Sequence, residues 1–217
     1  MYCYRLRGSN KLPLNLCNHT YEERNVMATF DPNAYGAVIG DLVRESRVMA
    51  LNPGIPNDSI EPALDAHTEG TVFSPHAITD TDMAACCRSA LWLYHDYLDT
   101  SHTISQGITT ETGSYWHAIM HRREPDYPNS KYWFGRAGDH SVFPAIREAA
   151  AGITTTAASF PDSATFLTTQ CAWDPNAFVD LCEAANYGRA PVEDLCRQIQ
   201  QREWEILFDY CYQAAIG

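Results

Sequence analysis

Eight polar side chains between positions 95 and 124 recur at helical intervals and have the chemistry to form one site. His95, Asp99, His102 and Gln106 are separated by four, three and four residues, and Ser114, His117, His121 and Glu124 by three, four and three. At about 100° per residue, each set falls within an arc of about 60° on its helix. If 80–106 and 113–124 form an antiparallel helical hairpin, facing residues have nearly constant summed numbers. Gln106 then meets Ser114, His102 meets His117, Asp99 meets His121 and His95 meets Glu124, in layers about 5.4 Å apart. The first stripe borders an apolar seam of Cys87, Leu91, Tyr94 and Leu98, and polar groups half-buried beside such a seam need partners.

Three kinds of chemistry fit this pattern. In one, the stripes are a buried hydrogen-bond and ion-pair ladder that fixes helix register. In the second, His117 and His121 grip a divalent metal as an i, i+4 pair, and His102 and Asp99 close the site from the facing helix. Three nitrogens and a carboxylate suit zinc, or iron or manganese with added water. In the third, Asp99 or Glu124 orients a histidine that titrates near neutrality for metal-free acid–base work. His95-Asp96 also resembles the HD phosphohydrolase signature, with His67 as the upstream candidate. Against that, Asp96 points about 100° away from His95 on a helix, whereas Asp99 shares its face.

A basic, aromatic stretch follows. Arg122, Arg123, Lys131 and Arg136 against Glu124 and Asp126 give 122–136 a net charge of +2 inside a chain of −12. Arginine forks bind carboxylates or phosphates, and Tyr132, Trp133 and Phe134 offer an apolar or stacking wall. The same arginines could instead pair with neighbouring carboxylates while Trp133 and Phe134 fill the core.

Helices must position these residues. Asp31-Pro32 and Asp174-Pro175 supply an N-cap and a first-turn proline, with Asn52-Pro53-Gly54 and Gly188 as stops. Ala190-Pro191 opens a last helix with Leu195, Cys196, Ile199, Ile206, Leu207 and Cys211 on its apolar face. A further helix is expected over 142–151, ended by Gly152, and the stretches 53–78, 125–141 and 153–174 read as loops with short helical pieces. The best β-like run, Gly152–Thr156, is short. The expected fold is therefore all-α: a single-domain helical bundle over 27–217, preceded by an arm over 1–26 that is disordered or arises from an upstream start.

The net charge of −12 opposes nucleic acid and anionic membranes as partners, and no apolar run nears the roughly 20 residues of a bilayer span. Eight cysteines without a C-x-x-C pair point to reduced, structural thiols and a cytoplasmic location.

The stretch from Thr112 to Asp126, TGSYWHAIMHRREPD, with Lys131-Tyr132-Trp133-Phe134 and the C-terminal QREWE and FDYC, resembles a family of uncharacterised bacterial all-helical proteins over roughly residues 30–217. The resemblance implies a helical fold and no particular activity. The favoured function is a metal-assisted hydrolase or lyase for a small anionic substrate. His102, His117, His121 and Asp99 would hold the metal, and Glu124 or His95 would act as base. Arg122, Arg123, Lys131, Trp133 and Arg136 would bind substrate. The alternatives are a non-catalytic binding protein for a small anionic metabolite and a structural domain whose ladder only sets register.

Overall fold

The computed structural model describes residues 30–217, and the expected arm over 1–26 lies outside them. A 3-10 turn at Pro32–Tyr35 runs into α1 (Gly36–Leu42), followed by α2 (Glu61–Ala66), α3 (Glu69–Val72), α4 (Thr81–Tyr94) and α5 (Leu98–Gln106). Next come α6 (Glu111–Arg123), α7 (Tyr127–Ala137), α8 (Phe143–Thr156), α9 (Phe166–Thr169), α10 (Pro175–Asn186) and α11 (Glu193–Ile216), with no strand among the described residues. The fold is all-α.

Both Asp-Pro starts are capped as expected. Asp31 accepts from the Asn33 amide, and Asp174 accepts from the amides of Asn176 and Ala177. The first helix, however, stops at Leu42 rather than near Asn52. Side chains from α6 and α11 claim the carbonyls beyond it. Arg197 donates to Val48 and Met49, Gln200 to Ala50, and Arg123 to Ala50, Asn52 and Pro53. The segment 48–53 is thus held outside any helix by side chains that replace its own helical bonds.

The core is built around α6 and α11. Every residue from Thr112 to Arg123 is buried, so α6 is enclosed on all sides and its polar residues must find partners inside the protein. Trp204 on α11 stacks on Phe208 with centroids 4.8 Å apart and donates its Nε1–H to the Ala90 carbonyl on α4, at 3.1 Å. Gly113 permits the tight approach into α6, because a Cβ there would stand 2.6 Å from the Ile108 carbonyl oxygen.

Four further expectations are corrected. The helix placed over 80–106 is two helices, interrupted where Asp96 takes φ +68°. Two arginines, the buried Arg123 and the half-buried Arg47, meet the Asp96 carboxylate at 2.5 Å and 2.6 Å and hold this left-handed turn. The stretch 125–141 contains α7, whose start Asp126-Tyr127-Pro128 is the same cap-plus-proline signal, with Asp126 accepting from the Asn129 amide. Finally, α8 continues through Gly152, and the β-like threonines are helical. Thr154 and Thr155 hydroxyls donate to the carbonyls four residues earlier, which satisfies these side chains within the helix. The last helix also begins later than Ala190-Pro191, at Glu193.

Cys86, Cys87, Cys182, Cys196 and Cys211 are buried and Cys171 is exposed, all as free thiols. The five buried ones fill core space as small hydrophobes. No described helix is long and apolar enough to cross a membrane.

His140 belongs to this core. It is 4% exposed, packs against Tyr115 and Tyr210, accepts from the Val142 amide at Nδ1 and so donates from Nε2 to Thr112 Oγ1 at 3.0 Å. Burial lowers its pKa to about 4. The native ring is neutral while the unfolded ring protonates near its ordinary value, so the stabilisation is complete above about pH 6.5 and is lost as pH falls toward about 4. Urea titrations from neutral to acid pH should show that His140→Gln escapes about 3 kcal/mol of the acid loss suffered by the parent. Parallel acid losses in the two proteins would refute this account of His140.

Candidate metal centre

His102, His117 and His121 each offer one ring nitrogen, and these three atoms lie within 4.8 Å of one another. α6 presents His117 and His121 on successive turns, 1% and 4% exposed, while α5 brings the half-buried His102 from the side. The His102 ring centroid is 4.7 Å from that of His117 and 5.3 Å from that of His121.

Hydrogen bonds orient two of the rings. The His121 Nδ1–H meets the Glu124 carboxylate at 3.0 Å; an ionised carboxylate only accepts, so His121 Nε2 carries the lone pair. That atom faces His117 Nε2 at 3.1 Å. His117 Nδ1 in turn is bonded to Ser105 Oγ at 2.7 Å. Each ring thus has its outer nitrogen tied to the protein and its Nε2 turned inward, as in metal sites whose ligands are oriented by a surrounding shell. His102 is the third arm. Tetrahedral zinc with bonds of about 2.0–2.1 Å sets ligand nitrogens about 3.3 Å apart, so the Nε2 pair would open by only a few tenths of an ångström.

Electrostatics favour the neutral form of His117 and His121, the form that ligates metals. Burial first, then the neighbouring His121 and His102, lower the His117 pKa to about 3. Burial also lowers that of His121, against the opposing pull of Glu124.

α7 forms the adjoining wall. Ser130 anchors it to α6 by donating to the Ala118 carbonyl at 2.8 Å. This sets the Trp133 ring on His117 with centroids 4.3 Å apart, and places Asn129 Nδ2 3.0 Å from His121 Nε2. The exposed Arg136 guanidinium lies over Trp133 at 5.3 Å.

Other residues expected at the site are placed elsewhere. His95 follows the end of α4 and turns into the core: its Nε2–H donates to the Leu42 carbonyl at 2.8 Å, Asn57 reaches Nδ1, and burial lowers its pKa. It is not beside Glu124: its ring is held by Leu42 and Asn57, just before the chain turns at Asp96. Asp99 is exposed in the first turn of α5, beside Pro53 and Gly54, and is outside the histidine cluster. Of the four expected layers, His102 with His117 is brought into contact.

Arg122 and Arg123 are fully buried and committed to the protein, which leaves neither to greet a substrate. Arg122 pairs with Glu203 at 2.5 Å and lies over the Phe178 ring, while Arg123 pairs with Asp96. Lys131 pairs with Asp180 on α10. Glu124 touches the cluster through His121, with its side chain 45% exposed.

Two residues at the site were not among the sequence candidates. Ser105 stands three residues from His102 on the same helix, a spacing that puts the two side by side. Asn129 was hidden inside a stretch read as loop. No family model matches the chain, and no curated protein or solved structure shows significant similarity to it.

Proposed function

We propose that His102, His117 and His121 bind one divalent metal ion, zinc by preference, and that the protein is a metal-assisted hydrolase or lyase for a small anionic substrate. The observation that carries this reading is the inward pair of Nε2 atoms at 3.1 Å with a third imidazole beside it. Three imidazoles without a carboxylate leave a coordination position for water or substrate, which is the composition of catalytic rather than closed structural zinc sites. When bound, the metal would supply Lewis acidity and an acidified water. The chain's own residues then divide the remaining work. Glu124 fixes the His121 ring, Trp133 walls the cluster, and the exposed Arg136 is the cation next to it. With Arg122, Arg123 and Lys131 paired, Arg136 inherits the anion-orienting role.

Metal uptake tests the reading. Protein stripped with chelator and titrated with zinc should take up one equivalent per chain, and His117→Ala and His121→Ala should each weaken uptake at least a hundredfold. The zinc-loaded protein should also turn over activated esters of small phosphates or carboxylates, with chelation abolishing the reaction. Uptake that is unchanged in both histidine variants would sink the metal centre. Stoichiometric uptake with no turnover across the panel would leave a metal-binding protein and sink the enzyme.

A further inference from the structure

Two hydrogen-bond arrangements satisfy the same atoms around His117, and Ser105 decides between them. Ser105 is 1% exposed, and its Oγ stands 2.7 Å from His117 Nδ1 and 3.2 Å from the carbonyl oxygen of His102. A hydroxyl has one proton to donate, so it serves one of these acceptors at a time. Suppose that it donates to His117 Nδ1. The His117 ring proton must then sit on Nε2, where His121 Nε2 accepts it at 3.1 Å, and His121 Nδ1–H passes to Glu124 Oε2 at 3.0 Å. Ser105, His117, His121 and Glu124 become a chain running in one direction, and Asn129 Nδ2 is a second donor 3.0 Å from the same His121 Nε2.

If the hydroxyl turns instead to the His102 carbonyl, its oxygen becomes the acceptor for a proton on His117 Nδ1. Both Nε2 atoms then confront each other as lone pairs, a repulsion that a cation between them relieves, with the Asn129 amide as the other donor within reach of His121 Nε2. The half-buried His102 is the ring that completes such a set.

We propose that Ser105 is the positioning residue of this centre: its hydroxyl holds His117 as the Nε2–H tautomer in the metal-free protein, and turns to the His102 carbonyl to stabilise the Nδ1–H tautomer when a divalent ion is bound. The second half rests on the metal-centre reading; the first does not. Protons balance. His117 Nε2 gives its proton to solvent and Nδ1 takes one from solvent, so the ring stays neutral and contributes no net proton release. The Ser105 O–H bond rotates and does not break. Entry of the metal therefore breaks a closed hydrogen-bonded chain, which sets a threshold against weakly binding cations such as magnesium.

The test is ¹H–¹⁵N spectroscopy of the full-length protein labelled with ¹⁵N-histidine, at neutral pH, before and after addition of zinc. His117 is assigned by the signals lost in His117→Gln. The parent should show His117 as Nε2–H without metal and as Nδ1–H with zinc. Ser105→Ala should lose the metal-free preference and bind zinc about ten- to a hundredfold more weakly. Ser105→Thr, which keeps a hydroxyl, should restore both, a rescue that a mere packing role would not give. A metal-free parent already in the Nδ1–H form, or a Ser105→Ala variant with parental tautomer and affinity, would overturn the proposal while leaving the metal centre standing. Failure of the parent to take up zinc would overturn the metal centre and the loaded half together. In that event an Nε2–H signal lost in Ser105→Ala would still support the metal-free half.

Discussion

Arg122→Met should destabilise the protein by about 3–5 kcal/mol, read as a shift in the urea-unfolding midpoint. The guanidinium is fully buried on α6, donates to Glu203 Oε2 at 2.5 Å and reaches Gln200 Oε1 at 3.4 Å. Glu203 is equally buried and takes a second hydrogen bond from Tyr115 at 2.9 Å. Removing the arginine leaves a carboxylate in the core with a single phenol for company. The loss is thus mainly the desolvation of an unpaired charge, and Glu203→Gln added to Arg122→Met should return part of it. A substrate-binding role for Arg122 makes the opposite prediction: unchanged stability and a raised KM. A loss below about 1 kcal/mol would refute the buried-pair account.

Arg123→Met should cost a similar amount, about 3–5 kcal/mol, but with a localised signature. Its guanidinium is the hub for two chain segments. It donates to the carbonyls of Ala50, Asn52 and Pro53 on one side, and to the Leu93 carbonyl and the Asp96 carboxylate on the other. Gly54 is drawn so close that a Cβ there would stand 2.6 Å from the Asp96 carboxyl carbon. Hydrogen exchange should therefore accelerate first in 50–57 and at 94–97, ahead of global unfolding. Arg123→Lys should rescue little, because a single ammonium cannot span acceptors that the planar fork reaches in five directions. Uniform acceleration over the whole protein would argue against the hub.

What was legible in the sequence follows from which forces are local. The Asp-Pro starts could be read because a cap and a first-turn proline act within one helical turn. The i, i+4 pair His117 and His121 could be read because helix geometry alone puts both rings on one face, and the short connection expected over 107–112 brought His102 near His117, a ring contact that the structure has. The rest depended on interactions across the chain. Asp96 is an ordinary helix residue by pattern, and it breaks the helix because Arg47 and Arg123 meet its carboxylate from distant positions. With that break, His95 and Asp99 leave the site. For Arg122 and Arg123 the sequence left anion binding and pairing with carboxylates both open, and the enclosure of α6 on all sides decides for pairing, with Glu203 and Asp96. α7 was obscured by its aromatic and basic composition, although Asp126 and Pro128 marked its start.

The bonds that shape the centre also bear on the order in which the protein assembles. Ser105–His117, His117–His121, His121–Glu124 and Asn129–His121 link residues 12, 4, 3 and 8 positions apart, whereas Tyr115–Glu203 and Arg122–Glu203 span 88 and 81. Closing short loops costs less entropy and is faster than closing long ones. During synthesis, everything from His102 to Asn129 leaves the ribosome before Glu203 has been added. The histidine cluster is thus expected to form early and locally, and the charged clamp that seals α6 against α11 to close late, an order that pulse-labelled hydrogen exchange during refolding would read.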